Sequence, residues 1–97
     1  MSYTNDELID IWEKGHVIQK YDKTKFRRDE CGAWMIFAEY GNRASKYGWE
    51  VDHINSKGAK TISNLRPLQW ENNLAKSDDK LKCVVIAKGN KNVDVKK

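Results

Sequence analysis

The sequence predicts an α+β domain. Three observations lead there: a capped amphipathic helix near the start, an alternating strand at residues 49–54, and a helical stretch at 69–77 that follows a short extended segment. Ninety-seven residues suit a single domain, 1–97. A chain of this length builds a small core, so the four Trp and four Tyr, with Phe26 and Phe37, are expected to supply much of it.

Thr4 followed by Glu7 reads as a capping box, in which each side chain satisfies a free amide at the helix start. Leu8, Ile11 and Trp12 then recur at helical spacing, and Gly15 is a natural stop. The pattern predicts a helix over residues 5–14 with those three side chains on the core. His16 falls at the helix end, where a cation favours the dipole, and receives no catalytic role.

The next segment, "HVIQKYDKTKFRRDECG", is polar and basic, with Lys20, Lys23, Lys25, Arg27 and Arg28 set around Tyr21 and Phe26. It reads either as a solvated connector or as an arm along a phosphate backbone, with aromatics packing beneath it or stacking on bases. "AWMIFAEY", 33–40, reads as a strand, with a short helix as the alternative. "GNRASKYG" is a loop, and "WEVDHI", 49–54, alternates as a strand does. A loop at 55–63 leads to "NLRPL", whose Pro67 restricts it to an edge. "QWENNLAKS", 69–77, is the second helix. "KCVVIAK" is β-rich, "GNKN" is a turn, and "VDVKK" reads as a frayed or mobile basic tail.

Lys and Arg outnumber Asp and Glu by 18 to 14, a surplus that points weakly to a polyanionic partner. No apolar run approaches the length of a membrane span, and the acidic start lacks the pattern of a signal peptide, so a cytoplasmic protein is expected. Neither Cys31 nor Cys83 has a second cysteine close by, as paired zinc ligands would. Two reduced, partly buried thiols are the expectation, with a disulfide as the less favoured alternative in cytosol.

Periodicity also orients the polar side chains. At about 100° per residue, Trp70, Leu74 and Ser77 share a stripe expected to face the core, Asn73 lies at its border, and Asn72 points towards water. On the strand, Glu50 and Asp52 share one face and Trp49, Val51 and His53 the other. Adjacent Asp52 and His53 can serve one site only at a strand end, and "NSKG" after Ile54 supplies such an end.

The stretches "WEVDHI", "SNLRPL" and "NNLAKSD" resemble the HNH nuclease motif, the ββα-metal fold, and the Asn64–Asn73 spacing agrees with the HNH domains of CRISPR effector nucleases. Upstream, "KFRRDECGAWMI" and "YGNRASKYGWEVDHI" resemble small standalone bacterial and phage HNH proteins. The resemblance covers roughly residues 26–78, with the motif core at 49–77. Many such proteins carry two CxxC pairs on a structural zinc. Here Trp70 stands in a region where such a cysteine would fall, so the chain looks like a zinc-free branch in which aromatic packing replaces the staple.

The resemblance implies a ββα-metal motif with an N-terminal helix and additional short strands. It also implies hydrolysis of DNA phosphodiester bonds, by nicking as a monomer, with a double-strand cut requiring a homodimer. Asp52 and Asn73 would hold one divalent cation, Mg²⁺ with Mn²⁺ as a substitute, and no structural zinc is expected. His53 would be the general base, since an imidazole is largely neutral near pH 7–8. Asn64 would tie the loop to the strand and orient His53. Glu50 would steady a ligand, serve as an auxiliary ligand, or simply be exposed.

Candidate phosphate contacts are Arg27, Arg28, Arg43, Lys57, Lys60, Arg66 and Lys76. The implied partners are double-stranded DNA and a larger protein that selects the site, with no membrane. The alternative is a nucleic-acid-binding module that keeps this scaffold and does not cleave.

Overall fold

The computed structural model describes residues 2–95, and its architecture is α+β. Helix α1 (Asn5–Trp12) opens with the capping box: Glu7 N donates to Thr4 Oγ1 at 3.1 Å and Thr4 N to Glu7 Oε1 at 2.8 Å. Its inward face buries Ile11 and Trp12 completely or nearly so, with Leu8 packed beside them.

Three two-stranded antiparallel hairpins follow: β1 (Phe26–Arg28) with β2 (Trp34–Ile36), β3 (Trp49–His53) with β4 (Leu65–Gln69), and β5 (Val85–Lys88) with β6 (Lys91–Asp94). Helix α2 (Trp70–Ala75) starts where β4 ends. In so small a sheet Pro67 costs no ladder bond on a second side, and it pairs with Val51.

Helix α1 and the first two hairpins are held together by a hydrophobic core rather than by one continuous sheet. Ile11, Trp12, Met35, Trp49 and Leu65 form it. The Trp49 ring lies 5.2 Å from that of Trp12, 4.9 Å from Tyr40 and 5.9 Å from Phe37, centroid to centroid. Such tilted contacts add attraction beyond the area they bury. Trp49 thereby fixes β3 against α1, and the site at the far end of β3 inherits that position. Gly48, just before β3, is required: a Cβ there would lie 2.0 Å from the Asn42 carbonyl oxygen. Its own carbonyl accepts from Trp70 N, joining the entry of β3 to the start of α2.

A second, polar centre lies on the other side of α2. Asp29 is 1% exposed, and its carboxylate accepts four N–H groups, from Cys31, Ala33, Gln69 and the Asn72 side chain. Burial pushes its carboxyl above the usual range, against the pull of those hydrogen bonds. Asn72 also donates to Val85 O and accepts from Val84 N and Val85 N, so β5 hangs on one carboxamide. Asn92 plays the same part for β6, exchanging bonds with both backbone groups of Trp34.

Several expectations are corrected here. Asn72 is fully buried, and Leu74, expected in the core, is 61% exposed. Ser77 lies beyond the end of α2. The side of α2 that periodicity assigns to water is covered by β5 and the β1–β2 turn, where the Val84 and Val85 backbone and the Asp29 carboxylate call for an amide and not a leucine. Cys31 and Cys83 are disulfide-bonded rather than reduced: the fold brings the β1–β2 turn against the approach to β5, with Cα atoms 5.4 Å apart. The basic segment is no mere connector, because Phe26–Arg28 pair with β2 and His16 bridges to Arg28. Val93 and Asp94, expected to fray, complete β6; Lys96 and Lys97 lie outside the described residues. Of 33–40, only Trp34–Ile36 is strand, and Phe37–Glu39 turns into a 3₁₀ helix. No helix among the described residues is long and apolar enough to cross a membrane.

Candidate active-site cleft

The β3–β4 register sets Asp52 opposite Arg66 and His53 opposite Leu65 at the loop end of the hairpin. Asp52 is 5% exposed, and a carboxylate that deep requires partners. Arg66 Nε donates to its Oδ2 at 2.8 Å, and Lys76 Nζ donates to its Oδ1 at 2.9 Å. Lys76 follows α2 in an extended conformation, which turns its side chain back to the hairpin. There its ammonium also donates to the His53 carbonyl and lies 3.8 Å from Asp79 Oδ1.

Asn73 sits one turn before Lys76, on α2, and donates from Nδ2 to Glu50 Oε1 at 3.0 Å. Glu50 is clamped from its other side by Arg43, through Nε at 2.7 Å and Nη2 at 3.0 Å. These paired hydrogen bonds hold the Glu50 carboxyl below its usual range; partial burial opposes them and Asn73 adds to them. Glu50 is thus neither idle nor simply exposed: it anchors Asn73. Because a carboxylate only accepts, the Asn73 amide must present its nitrogen to Glu50, which leaves its oxygen for another partner.

Asn64 clasps the loop that follows His53. Its Oδ1 accepts from Asn55 N at 3.0 Å, and its Nδ2 donates to Asn55 O and Ala59 O. The loop closes tightly enough that a Cβ on Gly58 would lie 2.8 Å from that nitrogen. All three bonds go to loop backbone. Asn64 therefore fixes the chain directly after His53, and among the described residues it makes no hydrogen bond to the imidazole.

Asp52, His53, Asn73 and Lys76 line one open cleft of about 480 Å³, together with Val51, Ser56, Asp78 and Asp79. A second cleft of about 350 Å³, bordered by Tyr3, Tyr40 and Glu50, shares Val51, His53 and Asn73 with the first. His53 and Asn73 thus belong to both.

No family model, curated protein or solved structure matches the chain.

The donor chemistry of the larger cleft suits a hard divalent cation. The Asp52 carboxylate and the Asn73 amide oxygen are the candidate ligands, and Mg²⁺ or Mn²⁺ accepts such oxygens while keeping several waters. One feature opposes simple entry of an ion. Both Asp52 oxygens already accept from a cationic side chain, so a metal on Oδ1 would meet the Lys76 ammonium bound to the same atom.

The seven candidate phosphate contacts divide. Arg27 is corrected outright: it is 6% exposed and its guanidinium donates to the carbonyls of Lys23, Glu13 and Gly15, closing the end of α1. Arg28 lies over the Trp34 ring at 4.5 Å. Arg66 and Lys76 are held by Asp52, and Arg43 by Glu50. Lys57 and Lys60 stand exposed on the loop after His53.

Sequence reasoning missed Arg66 and Lys76 as partners of Asp52. Arg66 had a usable signal, since a hairpin that pairs Trp49 with Gln69 necessarily places residue 66 across from 52. Asp79, which receives Ser56 N and Oγ, gave none: its position depends on a left-handed backbone at Asp78 and Asp79.

Proposed function

We propose that the chain is a metal-dependent endonuclease of the HNH type that nicks DNA. The observation that carries this reading is that Asp52, His53 and Asn73, brought from the end of a hairpin and the helix after it, line a single open cleft. That order of strand, strand and helix is what a ββα-metal motif requires, and the resemblance of residues 26–78 adds the motif residues themselves.

In this reading His53 takes the proton of the attacking water, with its backbone set by the Asn64 clasp and by the Lys76 bond to its carbonyl. Asp52 and Asn73 hold the cation, and Glu50 keeps the Asn73 amide turned with its oxygen outward. The divalent ion, when bound, supplies charge stabilisation for the phosphoryl oxygens and the leaving 3′ oxygen. Lys76 stays at the cleft, where its ammonium can also face a phosphate, and exposed Lys57 and Lys60 extend the positive surface. The substrate is double-stranded DNA. One site cuts one strand as a monomer, with a larger protein partner selecting the site.

A second reading is favoured by the state of Asp52. Each of its oxygens is paired with a cationic side chain, Arg66 or Lys76, an arrangement that holds the carboxylate without a metal ion. Supercoiled plasmid incubated with Mg²⁺ or Mn²⁺, with and without chelator, separates the two. Metal-dependent conversion to open circles supports the nuclease; intact plasmid with retained DNA binding supports the module.

A further inference from the structure

Against the β1–β2 hairpin lies a cavity of about 190 Å³ that shares no lining residue with either cleft. Four aromatic rings form its walls: Tyr21, Phe26, Trp34 and Tyr47. Trp34 is the floor, 4% exposed and pinned by a bond from Nε1 to Gly89 O at 2.8 Å. Tyr21 is the accessible wall, 41% exposed, with its ring 4.7 Å from Trp34 and 6.0 Å from Phe26. Lys20, immediately before it, holds a left-handed backbone at φ 74°, a strained conformation for lysine that fixes where Tyr21 leaves the chain.

The polar side chain at the rim is Asn90, at the tip of the β5–β6 hairpin. Its neighbours Lys88 and Lys91 are exposed, as is Lys20, and none of the three meets a carboxylate among the described residues. Arg28 adds a further cation over the Trp34 ring. An apolar ligand would have no use for this positive rim. A nucleotide matches all three features: a π face for the rings, an edge for an amide that both donates and accepts, and an anionic backbone for the lysines.

We infer that this cavity seats one unpaired base of a single-stranded nucleic acid. Tyr21 stacks on it, Asn90 bonds its edge, and Lys20, Lys88 and Lys91 hold the adjoining phosphates. The inference rests on the nucleic-acid reading above and extends it to a strand that has left the duplex, such as a frayed end or a displaced strand.

The test is binding of a short fluorescein-labelled single-stranded oligodeoxynucleotide in EDTA, beside the same sequence as duplex and an abasic oligomer of equal length. Tyr21→Ala should weaken single-strand binding on the order of tenfold and leave duplex binding within about twofold. Tyr21→Phe should retain the parent affinity, because the ring is kept, and the abasic oligomer should bind the parent as weakly as the intact single strand binds Tyr21→Ala. Equal affinity of parent and Tyr21→Ala for the single strand overturns the proposal, as does parallel loss on single strand and duplex, or a parent that binds the abasic oligomer equally well. Asn90→Ala guards against a folding artefact at Tyr21, and it should weaken the single strand alone. Because EDTA removes cleavage from the measurement, the two readings fail separately. Tyr21-dependent binding with an uncut plasmid removes only the nuclease; a nicked plasmid with Tyr21-independent binding removes only the base pocket.

Discussion

The Lys76 ammonium lies 2.9 Å from Oδ1 of Asp52, and both side chains are less than a tenth exposed. A lysine thus holds one of the positions on this carboxylate that a metal ion would take. Arg66 pairs with the other oxygen. Asp79 lies 3.8 Å from the same ammonium, so Lys76 is shared between two carboxylates of the cleft.

Lys76→Met should consequently tighten the binding of Mn²⁺. The variant leaves the Asp52 carboxylate with Arg66 alone, and its bare oxygen favours a replacement cation. Calorimetric titration of Mn²⁺ into parent and variant should show the dissociation constant fall by roughly tenfold, about 1.4 kcal/mol. An unchanged or weaker constant would mean that the ammonium and the ion do not compete for Asp52.

Asn72→Ala should destabilise the fold far more than Asn73→Ala, although the two are neighbours on one short helix. Asn72 makes four hydrogen bonds, three of them buried, to Asp29, Val84 and Val85, and its loss strands backbone amides and part of the Asp29 carboxylate. The expected cost is about 3 kcal/mol. Asn73, half-buried with one hydrogen bond to Glu50, should cost under about 1 kcal/mol. Urea unfolding followed by tryptophan fluorescence measures both, and equal costs would contradict the buried polar centre.

Acid should weaken the Glu50 anchor in a definite direction. The folded carboxyl is held below its ordinary value of 4.5, so the folded state binds fewer protons than the unfolded chain as pH drops past that point. Its contribution is present above pH 4.5 and is lost as pH falls through the folded value. Arg43→Met removes the chief cause of the shift, and its stability should fall less steeply over the acid range than that of the parent. Urea midpoints measured across that range decide it; parallel curves would remove Arg43 as the cause.

Much of this arrangement was legible before any coordinates. The Thr4–Glu7 capping box needs only neighbours in sequence, and it forms as written. Strand β3 announced itself through alternation at 49–54, and α2 through its lack of Gly and Pro. What escaped depends on long-range contacts. Asn72 reads as a surface residue until Asp29 and Val85, distant in the chain, converge on it. Cys31 and Cys83 stand 52 residues apart and meet where the last hairpin, bonded through Asn72 and Asn92, lies against the first. The site shows the same division: Asp52, His53 and Asn73, grouped by the resemblance, line one cleft, whereas the pairing of Asn73 with Glu50 and of Asp52 with Lys76 is tertiary.

The central claim is that His53 acts as a base in a metal-dependent cut, and nicking of supercoiled plasmid by parent and His53→Ala tests it most directly. With Mg²⁺ or Mn²⁺ the parent should produce open circles that chelator prevents, and the variant should be slower by about a hundredfold or more while binding DNA as the parent does. A variant that nicks at the parent rate, or a parent that leaves the plasmid supercoiled with every metal tried, contradicts the account.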